Sequence, residues 1–354
     1  MLTPLFIVVA IAALGFLIVV HEGGHYFVAR WCQMRIERFS IGFGPGVIKK
    51  TSKTTGTTFQ IAPIPFGGFV EIRGMNIAEE IDPEDLHAYP NRPVWQRFLT
   101  IFAGPATNYL SAIVLAMALY TCHGIDVPSR FYGVAKVMPG YDANGKLEAG
   151  DRITKVNGTD LFVSQGPSLN ERINGSRGAP ITLTILRDGQ PREILITPRQ
   201  DKDAGGKQVW RIGVGYDREE VVSVGVLEAA QGALIYPVEQ TRAIGKALYG
   251  IVFGSEKADP GGPIRMVEEF YNAFSAGVVP GIKLLMMLSV YLGLFNLLPI
   301  PALDGGRLVF LIYEMVTRRR ANPKIETMVH MAGIMALGVV MIVVLYIDIR
   351  RFWT

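Results

Sequence analysis

The chain has 354 residues, 49% hydrophobic and 19% charged, with 35 Lys and Arg against 31 Asp and Glu for a formal net charge of +4. So few charges at a mean hydropathy of +0.29 exclude a disordered chain and argue against an all-soluble one. The small, scattered positive excess excludes a dedicated nucleic-acid binder, and two cysteines, Cys32 and Cys122, allow neither a disulfide framework nor a Cys-based zinc ribbon.

The apolar residues come in blocks. Leu5 to Val20 has no polar side chain, and further blocks run from about Phe98 to Tyr120, Val278 to Leu298 and Met328 to Ile347. Each is near the ~20 residues that cross a bilayer core, so four spanning helices are expected. The first block has no basic leader and runs into His21-Glu22-Gly23-Gly24-His25 rather than a small-residue cleavage site, which argues against a signal peptide. Arg30, Arg35, Arg38, Lys49, Lys50 and Lys53, with Arg92 and Arg97, flank the first two blocks, and Arg318, Arg319, Arg320 and Lys324 link the last two. By the positive-inside rule both clusters are cytoplasmic. Both termini and residues 124 to 277 then lie outside, against the opposing weight of Arg350 and Arg351.

The outer stretch reads as a β-rich module. Phe131 to Gly140 and Leu147 to Gly158 read as strands with turns, Pro167 to Ile173 as a short helix, and two alternating strands meet at Asp188-Gly189. That order, with the A-G-D-x-I-x-x-V-N-G stretch of Ala149 to Gly158, resembles a PDZ domain of the bacterial protease type. Such a domain takes peptide or protein C-termini on a sheet edge, and Arg130 to Val134, with Gly133, is the expected carboxylate loop. The expected division is a membrane core at 1–125, a PDZ domain at 126–215, linker helices at 216–277 and a second membrane core at 278–354. In the linker, Val222 to Leu234 and Val238 to Phe253 have amphipathic spacing, Asp259 to Pro263 breaks it, and Ile264 to Ala276 resumes it. These segments either lie on the outer membrane face or serve ordinary packing.

The chemistry begins at His21 and His25, which at i and i+4 share one helical face and can bind one metal ion, with Glu22 placed as general base. A catalytic zinc needs a third protein ligand, and His87, His123 and His330 sit in no helpful motif. The interruption Asn296-Leu-Leu-Pro299-Ile-Pro301-Ala-Leu-Asp304-Gly305-Gly306 is more telling. Its two prolines cannot continue a helix, and irregular backbone at membrane depth is tolerated where it is buried in protein or lines a polar cavity. Asp304 offers a carboxylate there, and Asn296 an amide for substrate backbone or a developing oxyanion.

H-E-G-G-H at the end of a first membrane helix, with N-x-x-P-x-P-x-L-D-G-G in a later one, resembles the site-2 protease family of intramembrane zinc metalloproteases, in the form of the regulator of sigma-E protease. The resemblance covers essentially the whole chain. It implies one zinc ion on His21, His25 and Asp304, Glu22 as catalytic base and Asn296 as a substrate-positioning residue. Gly104-Pro105-Ala-Thr-Asn108 matches the family's G-P-x-x-N element, and Phe59 to Ile72 its membrane-associated β-loop. Phe59, Ile61, Pro63, Gly67, Gly68, Phe69 and Asn108 are accordingly the expected substrate contacts. The implied fold is an α-helical integral membrane protein with four transmembrane helices, a cytoplasmic β-loop and an inserted PDZ domain. The implied activity is cleavage of transmembrane segments of single-pass proteins, such as anti-sigma factors or signal-peptide remnants, in regulated intramembrane proteolysis. Its setting is the bacterial cytoplasmic (inner) membrane, with the active site near the cytoplasmic side and no nucleic-acid partner. The best-known members carry two PDZ domains, whereas this chain has room for one. A non-catalytic membrane-anchored PDZ adaptor leaves the metal motifs unexplained, and a metal transporter calls for matching broken segments in two halves, of which one is visible.

Overall fold

A computed structural model describes residues 4–76, 79–162, 167–202, 208–254 and 261–351. The chain forms two units, Met1–Cys122 with Gly225–Thr354, and His123–Val224.

The first unit is helical around one small sheet. Its helices are α1 (Pro4–Trp31), α2 (Val94–Cys122), α4 (Val226–Val252), α5 (Pro263–Ala276), α6 (Val278–Leu297), α7 (Asp304–Thr317) and α8 (Pro323–Arg351); α3 (Leu169–Gly175) belongs to the second unit. Among the described residues four helices are long and apolar enough to cross a membrane: α1 from Ile11, α2, α6, and α8 from Lys324 to Arg350. Small residues bring α1 onto α2. A Cβ at Gly24 would strike the Ala103 carbonyl and the Thr107 hydroxyl, and that hydroxyl donates to the Val20 carbonyl at 2.9 Å. On the other flank of α1, Ala13, Leu14 and Leu17 bury against Phe270 of α5. Arg97 of α2 forks onto Glu314 of α7 at 2.5 and 3.1 Å, tying the two helices together.

The linker differs from expectation. Val222 to Leu234 and Val238 to Phe253 do not form two separate segments: α4 is one helix from Val226 to Val252 with Pro237 inside it. Proline removes one backbone hydrogen bond, and close packing outweighs that loss. Ala233 meets Ala116 and Leu119 of α2 and Met286 of α6, while Ile244 meets Ala112 and Val290. Thr241 shares a 3.0 Å hydrogen bond with Tyr109. Thus α4 lies alongside spanning helices α2 and α6. The expected break at Asp259-Pro260 lies outside the described residues.

The sheet comprises β1 (Ile36–Phe43), β2 (Ile48–Thr51), β3 (Thr58–Ile61) and β4 (Ile64–Ile72) in the order β2-β3-β1-β4. β1 and β3 run parallel; the other pairs are antiparallel. β4 is therefore an edge, with one flank on β1 and no strand on the other among the described residues.

Between α6 and α7 the chain turns sharply. Ala302 has φ +79°, and its N–H donates to His330 Nδ1 of α8 at 3.3 Å. A Cβ at Gly305 would strike the backbone of Leu297 and Leu298, one at Gly306 the Ile300 carbonyl, and one at Gly333 of α8 the backbone of Pro301. Both glycines after Asp304 are thus required for α7 to start folded back against its own approach loop.

The second unit contains β5 (Ile125–Val137), β6 (Arg152–Val156), β7 (Thr159–Asp160), β8 (Ile181–Arg187), β9 (Gln190–Ile196), β10 (Arg199–Lys202), β11 (Gln208–Arg211) and β12 (Val214–Val222). Its main sheet runs β12-β5-β6-β8-β9 around Tyr132, Ile153, Leu169, Ile181, Leu183, Ile185 and Ile196. Asp188 and Gly189 both take positive φ, +53° and +76°, the geometry that closes a two-residue hairpin. Two expectations need correction. The unit runs to Val224 rather than 215, because β12 pairs along β5 from Val214↔Val137 to Val222↔Ile125. Gly133 lies between Asp217 of β12 and Arg152 of β6, so its backbone is paired on both sides and cannot take an added strand. β12 is a terminal strand of this sheet and faces α3 across a cavity of ≈ 310 Å³ lined by Ile173, Gly213, Gly215 and Tyr216. Ser168 caps α3 in a reciprocal box with Glu171.

Candidate metal centre

Three side chains expected to share an ion converge. The ligand atoms of His21, His25 and Asp304 lie within 4.8 Å of one another. Asp304 Oδ2 is 3.2 Å from His21 Nε2 and 3.4 Å from His25 Nε2, and the two Nε2 atoms are 3.4 Å apart. Ligands at ~2.05 Å on a tetrahedral ion stand about 3.3 Å apart, so the spacing fits zinc. The donor set, two imidazoles and a carboxylate, suits it as well. The nitrogens near Asp304 Oδ2, a buried atom, are those of the two imidazoles, and a buried carboxylate is costly unless a positive charge compensates it, which an ion held at this point would supply.

Helix α2 aims the histidines. His25 Nδ1 is 2.8 Å from the Thr100 carbonyl, an acceptor, so Nδ1 holds the proton and Nε2 would be left to offer a lone pair to an ion. Thr100 escaped the sequence reading because the contact uses its backbone, which leaves no side-chain signal. Gly104 makes room: a Cβ there would overlap His25 Nε2. His21 Nδ1 faces Asn108 Nδ2 at 2.9 Å. Both imidazole side chains are 10% exposed, on the rim of a cavity rather than sealed away.

That cavity, ≈ 510 Å³, brings Glu22, Asn296 and Asp304 together with Gly67, Gly68 and Phe69 of β4. Asn296 is held by donating Nδ2–H to the Leu292 carbonyl at 3.0 Å. A Cβ at Gly68 would meet Ile18, the Ser40 carbonyl and Glu22, so glycine lets the edge strand lie against Glu22. Arg307, one turn after Asp304, also lines the cavity and was not singled out in the sequence. Four expected contacts fall elsewhere. Phe59 and Ile61 lie in β3, paired with β2 on one side and β1 on the other. Pro63 sits beside Gly44, outside the cavity lining. Asn108 is fully buried behind His21 and does not reach the cavity. Of the other histidines, His87 bonds the Gln33 carbonyl at 2.8 Å, and His330 supports Ala302.

A Rickettsia conorii protein named as a candidate zinc metalloprotease is 32% identical, covering 97% of this chain and 98% of its own length. A Mesorhizobium japonicum protein named in the same way is 34% identical, covering 89% and 90%. The PDZ domain of an SdrC-like protein of Listeria innocua aligns with 26% of this chain and 99% of its own at 22% identity, with a TM-score of 0.22. The model of peptidase family M50 matches residues 9–340. With that match spanning nearly its full length, the chain belongs to peptidase family M50.

Proposed function

We propose that this chain is a zinc-dependent endopeptidase that cuts transmembrane segments of single-pass proteins within the bilayer. The observation that carries the reading is the convergence of His21, His25 and Asp304 in a cavity walled by the free edge of β4.

A membrane helix hides its peptide bonds in i to i−4 hydrogen bonds, so a site that cleaves one must unwind it and supply partners for the exposed backbone. β4 offers those partners by strand addition, with Gly67 and Gly68 allowing close approach and Asn296 an amide for the strand's polar groups. His21, His25 and Asp304 would hold the zinc. When bound, zinc supplies Lewis acidity that polarises a carbonyl oxygen and activates water. Glu22 takes the proton from the attacking water as the C–O bond forms, then gives it to the leaving amine as the C–N bond breaks.

The setting is the bacterial cytoplasmic membrane, with termini and the β-rich unit outside. The active site lies toward the cytoplasmic side, since His21 and His25 sit in the half of α1 whose last turn carries Arg30. The groove between β12 and α3 takes peptide or protein C-termini. Substrates are single-pass proteins with weak helix formers at the cut, including anti-sigma factors and signal-peptide remnants in regulated intramembrane proteolysis. The test is Glu22→Gln in cells expressing a tagged single-pass reporter. The variant keeps one zinc per chain and leaves the reporter whole; continued cleavage refutes the assignment, and a cleaved reporter with no zinc in the wild type refutes the metal.

A further inference from the structure

The last turn of α1 carries positive charge that the fold leaves uncompensated. Arg30 and Arg35 line a cavity of ≈ 220 Å³ together with Gln33, Met34, Asp85 and His87. Both arginines are exposed, and neither forms an ion pair or a side-chain hydrogen bond among the described residues. The acidic groups nearby are engaged elsewhere. Asp85 meets Arg73 through Oδ2 at 2.8 Å and accepts the His87 N–H on Oδ1 at 3.0 Å. Glu37 faces Arg73, and Glu71 pairs with Arg38. The walls are tied together: the Arg35 N–H donates to the His87 carbonyl at 2.9 Å, and the His87 ring bonds the Gln33 carbonyl at 2.8 Å. These two bonds join the turn after α1 to the loop over residues 82–88. Large apolar side chains stand out beside the arginines. Trp31, next to Arg30, is 72% exposed; Phe27, one turn earlier, is 71% exposed; and Leu86, between Asp85 and His87, is 66% exposed. The apolar span of α1 runs from Ile11 to Trp31, which puts this end of the helix at the bilayer surface.

We propose that this cavity binds the phosphodiester of an anionic phospholipid. Arg30 and Arg35 hold its oxygens, while Trp31, Phe27 and Leu86 lie against the glycerol backbone and the acyl chains. Guanidinium forks match phosphate oxygens in geometry as well as in charge. The cavity is several times the ~30 Å³ share of one water, which leaves room for a phosphate. Interfacial binding needs both an apolar surface and cationic side chains, and both are present within one turn of helix and one loop. An acidic protein segment would satisfy the arginines and leave three exposed apolar side chains in the headgroup layer without partners; a lipid answers both. A headgroup that carries its own ammonium brings a like charge toward the two guanidinium groups, so a net-negative headgroup such as phosphatidylglycerol is preferred. The site stands apart from the metal centre, and it holds for either leaflet.

The experiment uses the purified full-length chain in detergent micelles doped with brominated lipid. It reads quenching of Trp31, taken as the difference between the wild type and Trp31→Phe. Brominated phosphatidylglycerol should quench at a lower mole fraction than brominated phosphatidylcholine, with each arginine contributing roughly fivefold to the preference at low salt. Arg30→Gln with Arg35→Gln should abolish that preference. Lys49→Gln with Lys50→Gln removes the same charge from the exposed strand β2 and should leave it intact. Equal quenching by the two lipids in the wild type overturns the proposal. So does a lysine-pair variant that loses as much preference as the arginine pair, because the effect then belongs to net charge and not to the cavity. Inorganic phosphate, added at constant ionic strength, separates the sources: if it abolishes the preference, the cavity is a site for free anions and the lipid assignment fails. Arg30→Lys with Arg35→Lys keeps both charges and loses the forks, so its preference should fall below that of the wild type. An unchanged preference there overturns the proposal, and this comparison decides even if the glutamine pair does not fold.

Discussion

Gly104→Ala puts the helix packing behind the metal centre to a direct test. The new methyl would overlap His25 Nε2, whereas non-bonded heavy atoms sit at about 3.5 Å, so the imidazole or the helix must retreat by ~1 Å or more. The ring cannot swing freely, since its Nδ1 is held 2.8 Å from the Thr100 carbonyl one turn away on the same helix. Retreat therefore stretches that bond, moves the ligand atom off the point it shares with Asp304, or separates α1 from α2. A misplacement near 1 Å costs catalysis about 10²-fold, and a disturbed ligand costs zinc affinity roughly 10- to 100-fold. The assay pairs cleavage of the membrane reporter with zinc content after dialysis against a weak chelator. Gly15→Ala is the control: the same helical substitution, in α1, with nothing within 4 Å of the added carbon, should leave both readouts intact. Gly104→Ala with cleavage and zinc retention within twofold of wild type refutes the reasoning.

Three further outcomes follow from the packing. Glu314→Ala strands the nearly buried Arg97, whose side chain is 8% exposed, and should destabilise the full chain by ~3 kcal/mol; a thermal midpoint unchanged in detergent would contradict this. Ser168→Ala removes the α3 cap and should cost about 1 kcal/mol, seen as faster amide exchange at Leu169 to Ile173; equal exchange counts against it. Asp151 is buried, which raises its pKa, but the Arg187 guanidinium and the Glu148 amide outweigh that and hold the carboxyl below its usual range. A lowered folded-state pKa gives stability that is fully present above the unfolded value near ~3.9 and is lost as pH falls through the folded value. Exchange protection of β8 in the full chain should fall at that acid edge and lose the dependence in Arg187→Gln; the same acid profile in that variant would sink the assignment.

The three side chains that converge were legible because metal chemistry restricts residue type and spacing. Two imidazoles one turn apart announce themselves within five residues, and Asp304 stands out because prolines and a carboxylate at membrane depth are costly. Strand order was not legible. Phe59 to Ile61 and Ile64 to Ile72 are similarly apolar, and which becomes the edge depends on the parallel pairing of β1 with β3, a non-local choice. The same holds in the β-rich unit, where β12 returns about 80 residues after β5 to cover Gly133. In α4, Pro237 reads as a break, and only the small-residue seams of α2 and α6 show that the helix persists. Asn108 was visible as a motif residue, but whether it faced substrate or ligand depended on the rotation of α2 about its axis.

The last membrane helix deserves notice for what it props rather than what it touches. Most large apolar side chains of α8 point outward, as befits a segment in contact with lipid, yet His330 and Gly333 brace the strained corner at Pro301 and Ala302 that delivers Asp304. Trimming the chain after Asn322 would leave all three ion-binding side chains in place and still remove the scaffolding of one. If the three side chains hold an ion, its retention would depend on a stretch of sequence that supplies none of them, and a tail-end truncation would masquerade as a ligand mutation.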